Sequence, residues 1–190
     1  MKPLIIAKDK EDLQRLIREE IKLNGLNCDL NHIDVSQVKV MAHLFSNSKF
    51  NGDISKWDTS NVTNMNDMFA SSQFNGDISK WNVSKVKYMN YMFDNSKFNG
   101  DISNWKVTKL EDAQFMFLES SFDGVLSNWK PLRLENLEHM FLGSSFTKPY
   151  WAEYEDKEKR NIAINNYWLA KKLNKELSNK NKIKKSSLKI

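Results

Sequence analysis

A single cysteine, three prolines and six glycines serve all 190 residues. One thiol, Cys28, excludes an internal disulfide framework and any zinc cluster built on cysteines. No stretch approaches the ~18 consecutive apolar residues of a membrane span. Catalytic signatures are missing as well: there is no GxSxG, no Walker loop, no HExxH, and no spacing that suggests a Ser–His–Asp set. Hydrophobic residues make up 40% of the chain and aromatics 12%, which excludes wholesale disorder and leaves room for one packed domain.

The formal charge of +5 hides a split. Residues 1–147 carry 17 basic and 19 acidic side chains, whereas residues 148–190 carry 12 and 5. At the start, Leu4, Ile5 and Ile6 form a three-residue apolar run where a secretory leader needs ~7–15, and charge follows at once. The expectation is a soluble, cytoplasmic protein without a transmembrane segment.

What is present is repetition. FNGDISKW occurs at 50–57 and 74–81, FNGDISNW at 98–105, and a worn copy, FDGVLSNW, at 122–129. The same 24-residue period carries Phe45, Phe69, Phe93, Phe117 and Phe141, and with them Met68, Met92, Met116 and Met140. Shifted back one period, LNCDLNHI at 26–33 aligns as a half-repeat; Pro149 ends the register at the other end.

Within a unit, Asp53–Trp57 is short and alternating after Gly52, the pattern of a brief strand. Val62, Met65, Met68 and Phe69 fall on one face of a helical turn or two. Twenty-four residues per strand-plus-turn lies in the ~20–29 range of leucine-rich repeats. The expected fold is therefore an α/β repeat solenoid: a small leucine-rich-repeat-like stack of short strands and short helical turns, with helical caps at both ends.

The repeat W-[DN]-x-S-x-V-x-x-M-x-x-M-F-x-x-S-x-F-N-G-D-I-S, best copied in Trp57–Ile78 and Trp81–Ile102, resembles the BspA-type leucine-rich-repeat family of bacterial proteins. The resemblance spans about residues 34–146. It implies a repeat fold and a binding role, in the family often as a surface-attached adhesin.

The ends read as caps. Leu13, Leu16, Ile17, Ile21 and Leu23 form an apolar stripe ending at Gly25, a helix over about 9–24. Residues 152–177 lack Gly and Pro and present Ile162, Ile164, Tyr167, Trp168, Leu169, Leu173 and Leu177, a second helix docking through Tyr167 and Trp168. The domain expectation is a capping helix and half-repeat at 1–33, repeats at 34–146, a capping helix at 147–177, and a disordered Lys-rich tail at 178–190.

Polar series have structural readings first. Gly52, Gly76, Gly100 and Gly124 mark a repeated turn, through positive φ or tight approach. Cys28, His32 and His43 could be drawn as a metal site, but at no zinc spacing, so no metal or cofactor is expected. Asp53, Asp77 and Asp101 form a ladder that reads as turn-capping, with bridging by a cation as the alternative. Trp57, Trp81, Trp105 and Trp129 read as framework rather than as a binding platform.

Positions that differ between otherwise identical units are the recognition candidates: Lys56, Lys80, Asn104 and Asn128 on the expected strands, and Tyr91, Phe115 and His139 on the expected helical turns. In the tail, Lys171, Lys172, Lys175, Lys180, Lys182, Lys184 and Lys185 could attract a polyanion; without arginine or aromatics they offer phosphate contact and no base readout. The leading expectation is a non-catalytic protein–protein interaction module whose partner is another protein, an intracellular accessory or inhibitor of mobile-element type. The alternatives are a nucleic-acid-associated protein using the basic tail and a surface adhesin. A small-molecule ligand is not expected.

Overall fold

The computed structural model describes the backbone of residues 2–187 and the side chains of residues 2–180. At the amino end, β1 (Ile5–Ile6) lies parallel to β2 (Ile33–Asp34), with Ile5 opposite Ile33. Between them runs α1 (Lys10–Asn24). Asp9 starts this helix by accepting the Asp12 N–H at 2.8 Å, and Gly25, at φ 84°, stops it by donating its N–H to the Ile21 carbonyl. Leu13, Leu16 and Ile17 turn inward and cover the apolar end of the repeats.

From Val35 to Phe146 no helix forms and no strand exceeds an isolated bridge. The described residues form two α-helices and a single two-stranded sheet, 24% helix and 6% strand, so the expected α/β solenoid of strands and helical turns is overturned. Hydrogen-bond partners explain why. In an α-helix Met65, Asp67, Phe69 and Ser71 would donate to carbonyls four residues back. Here their N–H groups donate to Tyr88, Asn90, Met92 and Asp94 in the following unit, at 2.7–3.0 Å. Asp67 lies at φ 55° and Ser71 at φ 52°, which breaks the helical turn. The expected strand fails for a different reason: Asp53 Oδ1 accepts the Ser55 N–H at 2.9 Å and Trp57 N–H bonds back to Ile54, so the segment folds on itself as turns.

Units of this kind lie side by side, bonded at an offset of about 24 residues and bridged at Val40, Asn64, Tyr88, Asp112 and Asn136. Their core is columns of rings. Phe45, Phe69, Phe93, Phe117 and Phe141 stack at 5.6–5.8 Å between neighbours; Phe50, Phe74, Phe98 and Phe122 form a second column at 6.3–6.4 Å. The indoles of Trp57, Trp81, Trp105 and Trp129 are buried and donate to Leu30, Ile54, Ile78 and Ile102 carbonyls at 2.9–3.1 Å. Gly76 is needed for approach, since an added Cβ would lie 2.9 Å from the Phe74 ring; its φ is not positive.

The carboxyl end closes with a 3₁₀ turn (Tyr150–Glu153) and α2 (Lys157–Ser187). Trp151 takes the next place in the indole column, stacked on Trp129 at 6.4 Å and bonded to the Leu126 carbonyl, although the sequence register is already lost. Arg160, fully buried, donates to the Leu134 and Tyr154 carbonyls, and Asn161 Nδ2 bonds the Leu132 carbonyl. Only the first turns of α2 are held in this way. Ile164 is buried and Tyr167 stacks on Tyr150 at 4.3 Å, but Ile162, Leu169, Leu173 and Leu177 are exposed. The backbone is helical to Ser187, within the Lys-rich tail expected from residue 178; lysine is a good helix former and no Gly or Pro interrupts. Residues 188–190 of that expected tail lie outside the described residues. No described helix is long and apolar enough to cross a membrane.

Two outcomes follow. Phe93 packs between two columns and two neighbouring units, so Phe93→Ala should cost about 3–5 kcal/mol in urea unfolding. Asp77 and Asp101 have carboxyls held below the usual range, mainly by the backbone N–H of Ser79 and Ser103 and then by those serines' side chains. A depressed folded pKa gives stability that is present above the unfolded value of ~3.9 and lost as pH falls through the folded one. The Asp77→Asn, Asp101→Asn double variant lacks that charge-dependent contribution, so it should be less stable at pH 7 and reach its acid-unfolding midpoint at a higher pH than the native chain, read by circular dichroism.

Candidate functional site

A positive φ recurs at the same place in each unit. His43, Asp67, Tyr91, Phe115 and His139 occupy it, at φ 62°, 55°, 55°, 56° and 53°. Glycine, asparagine or aspartate suits that conformation; a bulky aromatic residue there costs roughly 1–2 kcal/mol. Only Asp67 is such a residue. The second such position is filled more conventionally by Asn47, Ser71, Asn95, Glu119 and Gly143.

Because units are in register, the five side chains form one ridge. His43 Nε2 lies 3.8 Å from Asp67 Oδ2. The Tyr91 and Phe115 rings stack at 4.7 Å with 10° between planes, and His139 meets Phe115 edge-on at 5.2 Å. Tyr91 and Phe115 are half-buried and His43 and His139 exposed. Carboxylates border the ridge. Burial, and then the charges of Asp67 and Glu119, push the Asp94 carboxyl above its usual range, so these three acids share one field. Such a surface is apolar along its crest, acidic at its margin, and rigid because each rung is bonded to its neighbours.

The other candidates lie elsewhere. Lys56, Lys80, Asn104 and Asn128 are exposed. Asn104 and Asn128 border a cleft of about 450 Å³ with Lys106, Lys130 and Trp168, whereas His139 lines a different one. In that cleft Lys130 Nζ sits 3.7 Å above the Trp168 ring, and Lys171 bonds Asn128 Oδ1 at 3.0 Å. Lys171 is thereby drawn onto the repeats, while Lys172, Lys175 and Lys180 stand exposed on α2. The side chains of Lys182, Lys184 and Lys185 fall outside the described residues.

The polar series are engaged in the backbone. Asn51, Asn75 and Asn99 Oδ1 accept N–H groups of Asn75, Asn99 and Asp123 one unit on, at 2.8–3.0 Å. His32 Nε2 is 3.2 Å from Glu20 Oε1, and Cys28 is buried, its thiol pushed up by that burial. Among the described residues no three His, Cys, Asp or Glu side chains gather to hold a metal ion.

Sequence reasoning singled out Tyr91, Phe115 and His139 but not the bordering acids Asp67, Asp94 and Glu119. It named Trp168 as a docking residue of the second helix but not Lys130 as its partner, because the break at Pro149 hides where α2 returns.

A protein family described as "Mycoplasma protein of unknown function, DUF285" matches residues 11–121 and, overlapping them, 96–180. No curated protein and no solved structure matches.

If the ridge aromatics are there for a partner, removing them should barely affect folding. Tyr91→Asn and Phe115→Asn each exchange ring stacking for relief of the left-handed backbone. Each should change the unfolding free energy by less than about 1 kcal/mol, against the ~3–5 expected of a core ring. A loss of core size in chemical denaturation would assign both rings to packing.

Proposed function

The chain belongs to the Mycoplasma DUF285 family, and we propose that it works as a non-catalytic protein-binding module whose recognition surface is the ridge of Tyr91, Phe115 and His139 with its acidic margin. The observation that carries this reading is the placing of large aromatic side chains where the backbone favours Gly, Asn or Asp. Residues kept against local preference are a mark of function. Stacked, half-buried rings are already ordered, so they lose little freedom on binding, and aromatic side chains are enriched among binding hot spots. The margin formed by Asp67, Asp94 and Glu119 favours a partner with basic side chains around an apolar centre.

The test is affinity capture from native lysate in ~1 M salt, where screening shortens electrostatic reach to about 3 Å. A stoichiometric protein should be retained by the native chain and lost by the Tyr91→Asn, Phe115→Asn double variant. Loss of hot-spot contacts worth ~2 kcal/mol corresponds to about thirtyfold in affinity. Equal retention by both chains would sink the reading. So would recovery of nucleic acid alone, at low salt and dependent on the Lys-rich end of α2.

A further inference from the structure

The ladder has a last rung. In the unit before it, Ala113, Phe115, Phe117 and Glu119 donate N–H groups to Asn136, Glu138, Met140 and Leu142 at 2.9–3.0 Å. The equivalent donors one unit on are Leu137, His139, Phe141 and Gly143, and none has a backbone or side-chain acceptor among the described residues. The carboxyl-terminal cap covers the other parts of this unit: Trp151 lies on the indole column, and Arg160 and Asn161 take the Leu134 and Leu132 carbonyls. It leaves the donor row standing beside a cleft of about 550 Å³ between Leu137–Leu142 and the returning segment at Lys148, Ala152 and Glu155.

The chemistry around the row is specific. Glu138 stands where Asn66 and Asn90 stand in earlier units, and those side chains accept the backbone N–H of the next rung at 2.9 and 3.0 Å. Glu138 and Glu155 face the cleft with no cationic partner within salt-bridge distance among the described residues; Glu135 is paired with Lys157, and Lys148 is the one lysine on the rim. A carboxylate, Glu119, also lies over Gly143.

We propose that this edge takes up an extended, lysine- or arginine-bearing peptide segment of a partner protein as an additional rung. Its carbonyls would accept from Leu137, His139, Phe141 and Gly143, and its basic side chains would meet Glu138 and Glu155. Backbone pairing supplies affinity, as in strand addition to a sheet edge, and the carboxylates select charge. The inference deepens the protein-binding reading and rests on it, but it concerns the end of the ladder rather than the crest of the ridge.

A suitable probe is a synthetic peptide of residues 84–97, whose Tyr88, Asn90, Met92 and Asp94 carbonyls already serve this role inside the chain and which carries Lys85, Lys87 and Lys97. Amide hydrogen exchange of the ¹⁵N-labelled full chain is followed with and without it. Exchange at the Leu137, His139, Phe141 and Gly143 amides should slow at least about tenfold at saturation. Charge reversal by Glu138→Lys and Glu155→Lys together should weaken binding about tenfold. Unchanged exchange at millimolar peptide would overturn the proposal, as would equal protection by a scrambled peptide or strong protection of these amides in the free chain. Such a result, alongside a captured partner that depends on Tyr91 and Phe115, would remove the edge site and leave the ridge intact.

Discussion

The register of the units between Val35 and Phe146 depends on a row of backbone N–H groups, such as those of Met65, Asp67, Phe69 and Ser71, that bond forward into the next 24-residue unit instead of back into their own. Hydrogen bonds are obligatory for buried backbone, but the choice of partner is open. Here the choice is lateral. It holds successive units in register, aligns Phe45 with Phe69 and Trp57 with Trp81, and so turns a sequence period into continuous columns of rings. The left-handed conformation recurs at two residues of each unit, the last one included, although His139 and Gly143 there have no forward acceptor among the described residues.

That pattern separates where a side chain points from what it is. A unit holds position 91 by its neighbours' hydrogen bonds, so tyrosine, phenylalanine, histidine or aspartate can occupy the equivalent place with the backbone unchanged. The core columns, by contrast, admit only what fills them. Variation therefore falls on the surface, along the ridge and at Lys56, Lys80, Asn104 and Asn128. This is the arrangement expected of a scaffold that presents different side chains on a constant frame.

The period, the buried residues and the framework role of the tryptophans were legible because burial follows side-chain chemistry and repeats with it. Helix α1 announces itself through Asp9 and Gly25, whose capping is local. The backbone path inside a unit was not legible. Val62, Met65, Met68 and Phe69 have helical spacing, yet Met65 and Phe69 donate to Tyr88 and Met92, 23 residues on, and periodicity carries no information about bonds at that distance. Positive φ is ordinarily signalled by glycine, and here Gly52, Gly76, Gly100 and Gly124 mark close approach to a phenylalanine while aspartate, serine and tyrosine carry the positive angles. Of the candidate surface, the aromatic crest could be found by comparing units. The acidic border could not, because Asp67, Asp94 and Glu119 come from different columns of the repeat and meet only after folding.

Trp151 reaches the indole column 22 residues after Trp129, with the chain between them out of step with every preceding unit. The cap thus recognises a surface, the bare face of an indole and the Leu126 carbonyl beside it, and does not count residues. Each earlier unit offers the same face. The contact that joins one unit to the next, an indole stacked on an indole with its N–H on a neighbouring carbonyl, is thus also the contact that ends the array.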